Sequence, residues 1–357
     1  MPKTTIYEAV TERVEILDKD GQVDKSLMPD LSQDQILSLY RWMVYMRALD
    51  TKTLKLQRQG RLGTYGSIQG QEAAQAGLGL ALKPEDWLAP SFREQLVMMM
   101  HGIPARQILM YWKGDERGSK APEGVNVLPI SIPVGSQHVH GVGIGMALKR
   151  QGKKAAAVTF GGDGSSSQGD FHEALNFAGV FKTHTVFFIQ NNQWAISVPF
   201  HKQTAATSVA QKAHGYNIPG VQFDGQDVFA SYAVSKEALE RARAGEGATL
   251  IEALMYRFGD HTTADDASRY RKAEEVAKWK ESDPIVRLRR FLDRESMWDD
   301  QKEEALAGEV SKRVDEDVAA LEALPKADPT DMLDYMYESL PLNLAEQRQA
   351  LAEEVNR

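Results

Sequence analysis

The sequence predicts an α/β protein, with a mostly parallel sheet covered by helices on both faces and helical extensions at both ends. Two observations carry this. Between Lys154 and Asp266, short apolar runs alternate with amphipathic stretches, the order that builds βαβ units. After Arg269 the chain changes to charged helical patterns such as EEVAKWK and DDQKEEALAGEVSKRVDEDVAALEAL, which read as solvated helices packed by one face.

Taken in order, residues 1–30 are polar, with DKDGQ as a turn signal. Asp30-Leu31-Ser32 opens a helix through DQILSLYRWMVYMRALD, apolar at helical spacing. A glycine-rich passage runs from Gly60 to Gly79, and Lys113 to Ser136 reads as a long irregular loop. AAAVTF (155–160) and TVFFIQ (185–190) are short apolar runs of the kind a buried strand shows. Between them, Asp170 with Glu173 resembles a capping box that opens a helix through about Val180. PGVQF (219–223) and ATLIEALMY (248–256) are further strands, separated by the amphipathic helix 227–245. The expected division is 1–60 as N-terminal extension, 61–270 as α/β core and 271–357 as helical tail.

Composition removes several function classes. The 357 residues carry 42 basic and 50 acidic side chains, a formal net charge of −8, which disfavours a nucleic-acid partner. There is no cysteine, so thiolate catalysis, iron–sulfur clusters and cysteine zinc sites are out. No run approaches a membrane span, and the charged N-terminus lacks the apolar core of a signal peptide. The expected setting is the cytoplasm.

Three loops follow strands of the parallel region: GGDGSSSQG (161–169), NNQWAIS (191–197) and RFGDHTTADD (257–266). Loops at the carboxyl ends of parallel strands share one edge of the sheet, where ligands bind. Asp163, Asn191, Asn192, Arg257 and His261 are therefore expected to gather. Asp163 and Asn192 offer the hard oxygens that magnesium takes, Arg257 offsets phosphate charge, and a glycine-rich turn before a helix admits a phosphate closely. A magnesium-bridged diphosphate suits that set. No GxxxxGK[ST] or GxSxG occurs, which removes P-loop and nucleophile-elbow chemistry. The glycine repeat Gly141-Val142-Gly143-Ile144-Gly145 follows no apolar strand and reads as tight helix packing.

GDG at 162–164 and NN at 191–192 are separated by 26 residues, 165–190. This spacing resembles the thiamine diphosphate motif. GRLGTYGSIQGQEAAQ, APSFREQ, PEGVNVLP, GGDGSSSQGDFHEALNFAGVFK, QNNQWAIS, YRFGDHTTADDASRYR and, in the tail, SDPIVRLRRFL resemble the E1 α subunits of 2-oxo acid dehydrogenase complexes. The likeness is nearest to pyruvate dehydrogenase E1 α of Gram-positive-type bacteria, with branched-chain E1 α second. It implies the thiamine diphosphate-binding fold and magnesium held by Asp163, Asn192 and the Trp194 carbonyl. Gly162, Gly164, Ser165, Phe92, Arg93 and Arg257 would lie along the diphosphate, and the backbones of Ile132 and Val134 would meet the aminopyrimidine. A potassium site at Ser131, Ser136 and Gln137 is a further possibility of the family pattern. His261 is implied as the catalytic histidine, positioning and moving a proton during acyl transfer to lipoamide. Phe92 stands where the family pattern has a tyrosine, so its phenolic hydrogen bond is missing.

The implied reaction is oxidative decarboxylation of a 2-oxo acid, pyruvate first and 3-methyl-2-oxobutanoate as the alternative, with acylation of the lipoyl group of an E2 component. No glutamate for the aminopyrimidine is identifiable, as expected if a β chain supplies it in an α2β2 assembly. Position also places Tyr65 and Ile68 near substrate, His138 facing the site, and the Gly141–Gly145 helix between subunits. Thr262 stands where animal relatives carry a phosphorylated serine, so kinase control is not implied. The rivals are a nicotinamide-dependent dehydrogenase, which lacks its glycine fingerprint, and a scaffold subunit that has lost its site.

Overall fold

A computed structural model describes residues 3–334 and 336–355. Its strands are β1 (Glu12–Val14), β2 (Trp87–Ala89), β3 (Ala157–Gly162), β4 (Thr185–Asn191), β5 (Trp194–Ala195), β6 (Val198–Pro199), β7 (Gly220–Asp224) and β8 (Thr249–Leu254). Six of them form one sheet in the order β1-β7-β8-β4-β3-β2, every neighbour pair parallel. β5 and β6 form a small antiparallel hairpin beyond the end of β4.

The central strands are apolar throughout because both faces are covered. Val186 and Phe188 of β4 join the larger core, while Phe187 and Ile189 join the core on the opposite face. That is the two-residue period of a strand, sorted into two layers. Helices Gln33–Arg58, Glu72–Ala81 and Val228–Arg243 contribute to the first layer, and Ser136–Arg150 and Gly169–Phe181 to the second. The tail helices Pro284–Arg294 and Asp300–Glu322 bury Leu288, Phe291, Leu306, Val310 and Val314 in the first core, so they brace it as the sequence implied.

Local signals explain most element ends. Ser32 and Gln35 form a reciprocal capping box at the start of helix Gln33–Arg58, which continues eight residues past Asp50. Asp227 caps helix Val228–Arg243 by accepting from the Phe229 and Ala230 amides at 2.9 and 3.1 Å. The capping box expected from Asp170 and Glu173 does not form. Helix Gly169–Phe181 starts earlier, with Gln168 at its N-cap and no side-chain cap, and Asp170 adds only its charge to the first turn. β3 lies two residues further along than its apolar run, because Gly161 and Gly162 stay in register with Ile189 and Gln190. β1 and β2 lay within stretches with no strand signal, since three residues show no period. The 113–136 stretch is irregular apart from a 3₁₀ turn at Glu116–Ser119 and a bridge from Val127 to Leu88.

The glycine repeat on helix Ser136–Arg150 does not reach toward another subunit at Gly141 and Gly145. A Cβ at Gly141 would meet Thr159 Cβ at 2.7 Å, and one at Gly145 would meet Thr185 Oγ1 at 2.3 Å. Both glycines press the helix onto this chain's own sheet. Gly143 lies on the outer face, with open space around it. Among the described residues, no helix is long and apolar enough to cross a membrane.

These contacts give a paired expectation. Gly145→Ala overpacks the helix against β4 and costs about 1–3 kcal/mol. Gly143→Ala, in open helix surface, gains roughly 0.5–1 kcal/mol. Chemical denaturation of the two variants checks the signs, and equal effects would remove the close packing as the reason for Gly145.

Candidate functional site

The ends of the three central strands are aligned by register. Gly162 pairs with Gln190, and Asn191 with Leu254, so the turns after β3, β4 and β8 leave the sheet side by side. They line one cavity of about 470 Å³. Phe92, Arg93, Ile132, Val134, Gly162, Asp163, Gly164, Ser165, Asn192, Trp194, Arg257 and His261 all border it, so every expected cofactor and metal residue is in one place.

The three oxygens named for magnesium each accept a hydrogen bond. Asp163 Oδ2 takes the Gln203 amide at 2.6 Å, Asn192 Oδ1 takes the Trp194 backbone N–H at 3.4 Å, and the Trp194 carbonyl takes Arg257 at 3.1 Å. One carboxylate, one amide oxygen and one carbonyl suit a hard cation that fills its remaining positions with phosphate and water. Among the described residues, no three His, Asp or Glu side chains gather as a self-sufficient metal site. The loop that presents Trp194 is strained, with Gln193 and Ile196 at φ 73° and 54°. It is held by Gln193 donating from backbone and side chain to Asn191 Oδ1. The Trp194 indole is fixed in turn by Tyr256 and by Glu275 of helix Ala273–Lys280, so the tail reaches the site as a support.

The charge balance is incomplete. Arg93 and Arg257 are buried, and among the described residues neither forms an ion pair with a carboxylate. Their donors go mainly to carbonyls, Arg93 to Ser67 and His261 and Arg257 to Trp194 and Ile196, with Arg257 also reaching the Tyr270 hydroxyl at 3.3 Å. Burial, then the proximity of Arg257, pulls the Arg93 guanidinium down to about 10, and burial lowers Arg257 too. His261 Nδ1 lies 3.4 Å from both guanidiniums. Both of those groups are donors only, so Nδ1 is the acceptor and the proton of the neutral ring sits on Nε2. Burial, then Arg93 and Arg257, push His261 down to about 3, which keeps it neutral at pH 7. Its ring stands edge-on to Phe92 at 5.9 Å.

Several residues differ from expectation. Tyr65 and Ile68 do not line the cavity. The Tyr65 hydroxyl donates to buried Asp50 at 2.8 Å, and Ile68 sits in the core. His138 does not line it either; it bridges Thr159 Oγ1 and Ser165 Oγ and so holds Ser165 in place. Ser131 and Ser136 lie 2.8 Å apart through their hydroxyls, but the Gln137 amide is committed to the Phe160 carbonyl at 2.6 Å. The sequence reading missed Gln71, Glu94, Gln168 and Gln203. Glu94 lines the cavity with both oxygens engaged, by Gln190 and by the Arg93 amide. Only its place next to Phe92-Arg93 in the sequence could have pointed to it.

Comparison with known proteins agrees with this geometry. The family model described as "Dehydrogenase E1 component" matches residues 40–330. The chain belongs to this family. Among its relatives is the pyruvate dehydrogenase E1 component subunit alpha of Staphylococcus aureus, 44% identical over 354 residues, covering 97% of this chain and 94% of the relative. The protein of the same name from Staphylococcus epidermidis is 43% identical over 348 residues, with the same coverage. Membership of the E1 family implies thiamine diphosphate as cofactor and a β subunit as partner.

The Asp163 carboxyl is pushed up to about 6, chiefly by burial, from the 3.8 of an exposed aspartate. Between those two pH values the unfolded chain releases this proton before the folded one does, so ionisation of Asp163 lowers stability as pH rises. Asp163→Asn is therefore expected to gain on the order of 2 kcal/mol on wild type between pH 4.5 and pH 8 in the absence of cofactor. Thermal denaturation across that range reads it, and a pH-independent difference would contradict the assignment.

Proposed function

We propose that this chain is the α subunit of a pyruvate-decarboxylating E1, assembled as α2β2, which transfers the resulting acetyl group to a lipoyl group of an E2 component. The observation that supports this best is the pairing of two buried, carboxylate-free guanidiniums with Asp163 and Asn192 around one cavity. Arg93 and Arg257 would offset the negative charge of a diphosphate, and the Asp163 and Asn192 side-chain oxygens with the Trp194 carbonyl would hold its magnesium ion. Gly162, Gly164 and Ser165 would line the phosphates through backbone and hydroxyl groups. The Ser131 and Ser136 hydroxyls are where a potassium ion would be held, with Gln137 fixing the loop.

When bound, thiamine diphosphate supplies the carbon nucleophile and the electron sink that decarboxylation of a 2-oxo acid requires. The chain's own residues do the rest. Arg93 and Arg257 anchor the charged end and exclude water from it. Ile132 and Val134, half exposed at the mouth, give an apolar wall. His261 presents Nε2–H, fixed in that tautomer by the two guanidiniums, and can donate a hydrogen bond from it to an oxygen in the cavity during acyl transfer. Of the described residues lining the cavity, only Asp163 and Glu94 are carboxylic acids, and both are committed. As the family resemblance implies, the β subunit would supply the acid for the aminopyrimidine.

The face for that subunit is the apolar surface outside Gly141 and Gly145. Val139 is exposed on helix Ser136–Arg150, and Phe177, Val180 and Phe181 on helix Gly169–Phe181, which packs beside it. Such a patch on a charged chain marks a protein contact.

Reconstitution tests the reading. The isolated chain is expected to show no turnover, and the α/β pair to decarboxylate pyruvate at least tenfold better, by kcat/KM, than 3-methyl-2-oxobutanoate. Asp163→Ala is expected to abolish magnesium-dependent activity of the pair. Full turnover by the isolated chain, or preference for the branched acid, would overturn the corresponding part.

A further inference from the structure

Gln71 is a polar side chain of the cavity that nothing so far has used. Gln71 is fully buried, and neither its side-chain nitrogen nor its oxygen has a partner among the described residues. Other buried glutamine amides donate to partners. Gln75 donates to the Arg93 carbonyl and to Gln190, Gln190 donates to Glu94, and Gln137 donates to Phe160. An amide buried without partners is costly, and a fold retains one where a ligand completes it.

The backbone holds Gln71 in that position. Gly70, at φ +92°, backs so closely on the Tyr256 carbonyl that a Cβ would lie 2.4 Å from it. Glu72 Oε2 accepts the Gly70 amide at 2.9 Å, while Glu72 Oε1 is paired with Arg47, which also reaches Asp283. Segment 67–71 spans the gap between the two arginines. The Ser67 carbonyl takes Arg93, the Gln69 carbonyl takes the Phe258 amide at 3.1 Å, and Gly70 abuts the residue before Arg257. Gln71 borders the cavity together with Arg93, Asn192 and Arg257. An anion that neutralises both guanidiniums lies within the reach of this segment, and a carboxamide offers it an uncharged N–H donor.

We infer that Gln71 is a cofactor-binding residue whose amide N–H donates to an anionic oxygen of the diphosphate held by Arg93 and Arg257. The inference rests on the thiamine diphosphate reading given above. It separates from a structural role because an unpartnered amide contributes nothing to the empty fold. Near-isosteric Gln71→Met removes the donor and the buried polar group together, so it should cost affinity and not stability.

The test uses the α/β assembly with magnesium. Thiamine diphosphate affinity is read by calorimetry, displacement by magnesium pyrophosphate reads the charged end alone, and thermal denaturation without cofactor reads the fold. Gln71→Met is expected to weaken both thiamine diphosphate and pyrophosphate about tenfold, one hydrogen bond to a charged group, and to leave the cofactor-free melting temperature equal or higher. Gln71→Glu, which keeps the shape and adds negative charge, is expected to weaken both further. Unchanged affinities overturn the inference. Weaker thiamine diphosphate with unchanged pyrophosphate overturns the diphosphate assignment, as does a rise in KM for pyruvate alone. A lower cofactor-free melting temperature in both variants makes Gln71 a structural residue. If wild type binds no thiamine diphosphate, the functional reading itself fails, a result distinct from all of these.

Discussion

Two guanidiniums and the Asp163 carboxylate are buried at the carboxyl edge of this sheet, and among the described residues the chain does not pair them with each other. Arg93 and Arg257 direct their donors to carbonyls, to His261 Nδ1 and, for Arg257, to the Tyr270 hydroxyl, and the Asp163 carboxylate accepts from the Gln203 amide. Burying charge without a partner is among the most costly things a fold does. The surrounding structure must over-determine it: the register of β3, β4 and β8, the strained Gln193–Ile196 loop, and the indole of Trp194 braced by the tail. A metal-bound diphosphate would supply both missing signs at once under the proposed function, a cation toward Asp163 and Asn192 and anionic oxygens toward the arginines.

The same imbalance sets the chemistry of His261. In the empty site the two neighbouring cations and burial hold the ring neutral and fix its proton on Nε2. A diphosphate between those arginines would weaken their effect on the ring.

Most of the architecture was legible because its signals are local. Continuous apolar runs gave β3, β4, β7 and β8, and the loops after three of them contained Asp163, Asn192, Arg257 and His261. What stayed hidden was set by distant contacts. β1 and β2 are too short to show a period, and each exists because a longer strand offers an edge. Gly141 and Gly145 announced close packing, but which partner they pack on depends on Thr159 and Thr185, in separate strands. Tyr65 looked close to substrate in sequence, yet Asp50 turns its hydroxyl into the interior. Gln71 and Glu94 lay inside family-like segments without standing out there, and Gln203 lay outside any of them, since an amide or carboxyl becomes part of a site only by where the fold leaves it.

The most direct measurement is a crystal structure of the α/β assembly with thiamine diphosphate and Mn²⁺ in place of Mg²⁺. The account predicts an anomalous peak within about 2.3 Å of both the Asp163 carboxylate and the Asn192 amide oxygen, with the diphosphate lying between Arg93 and Arg257. A metal bound elsewhere, or a diphosphate directed away from those arginines, would contradict it.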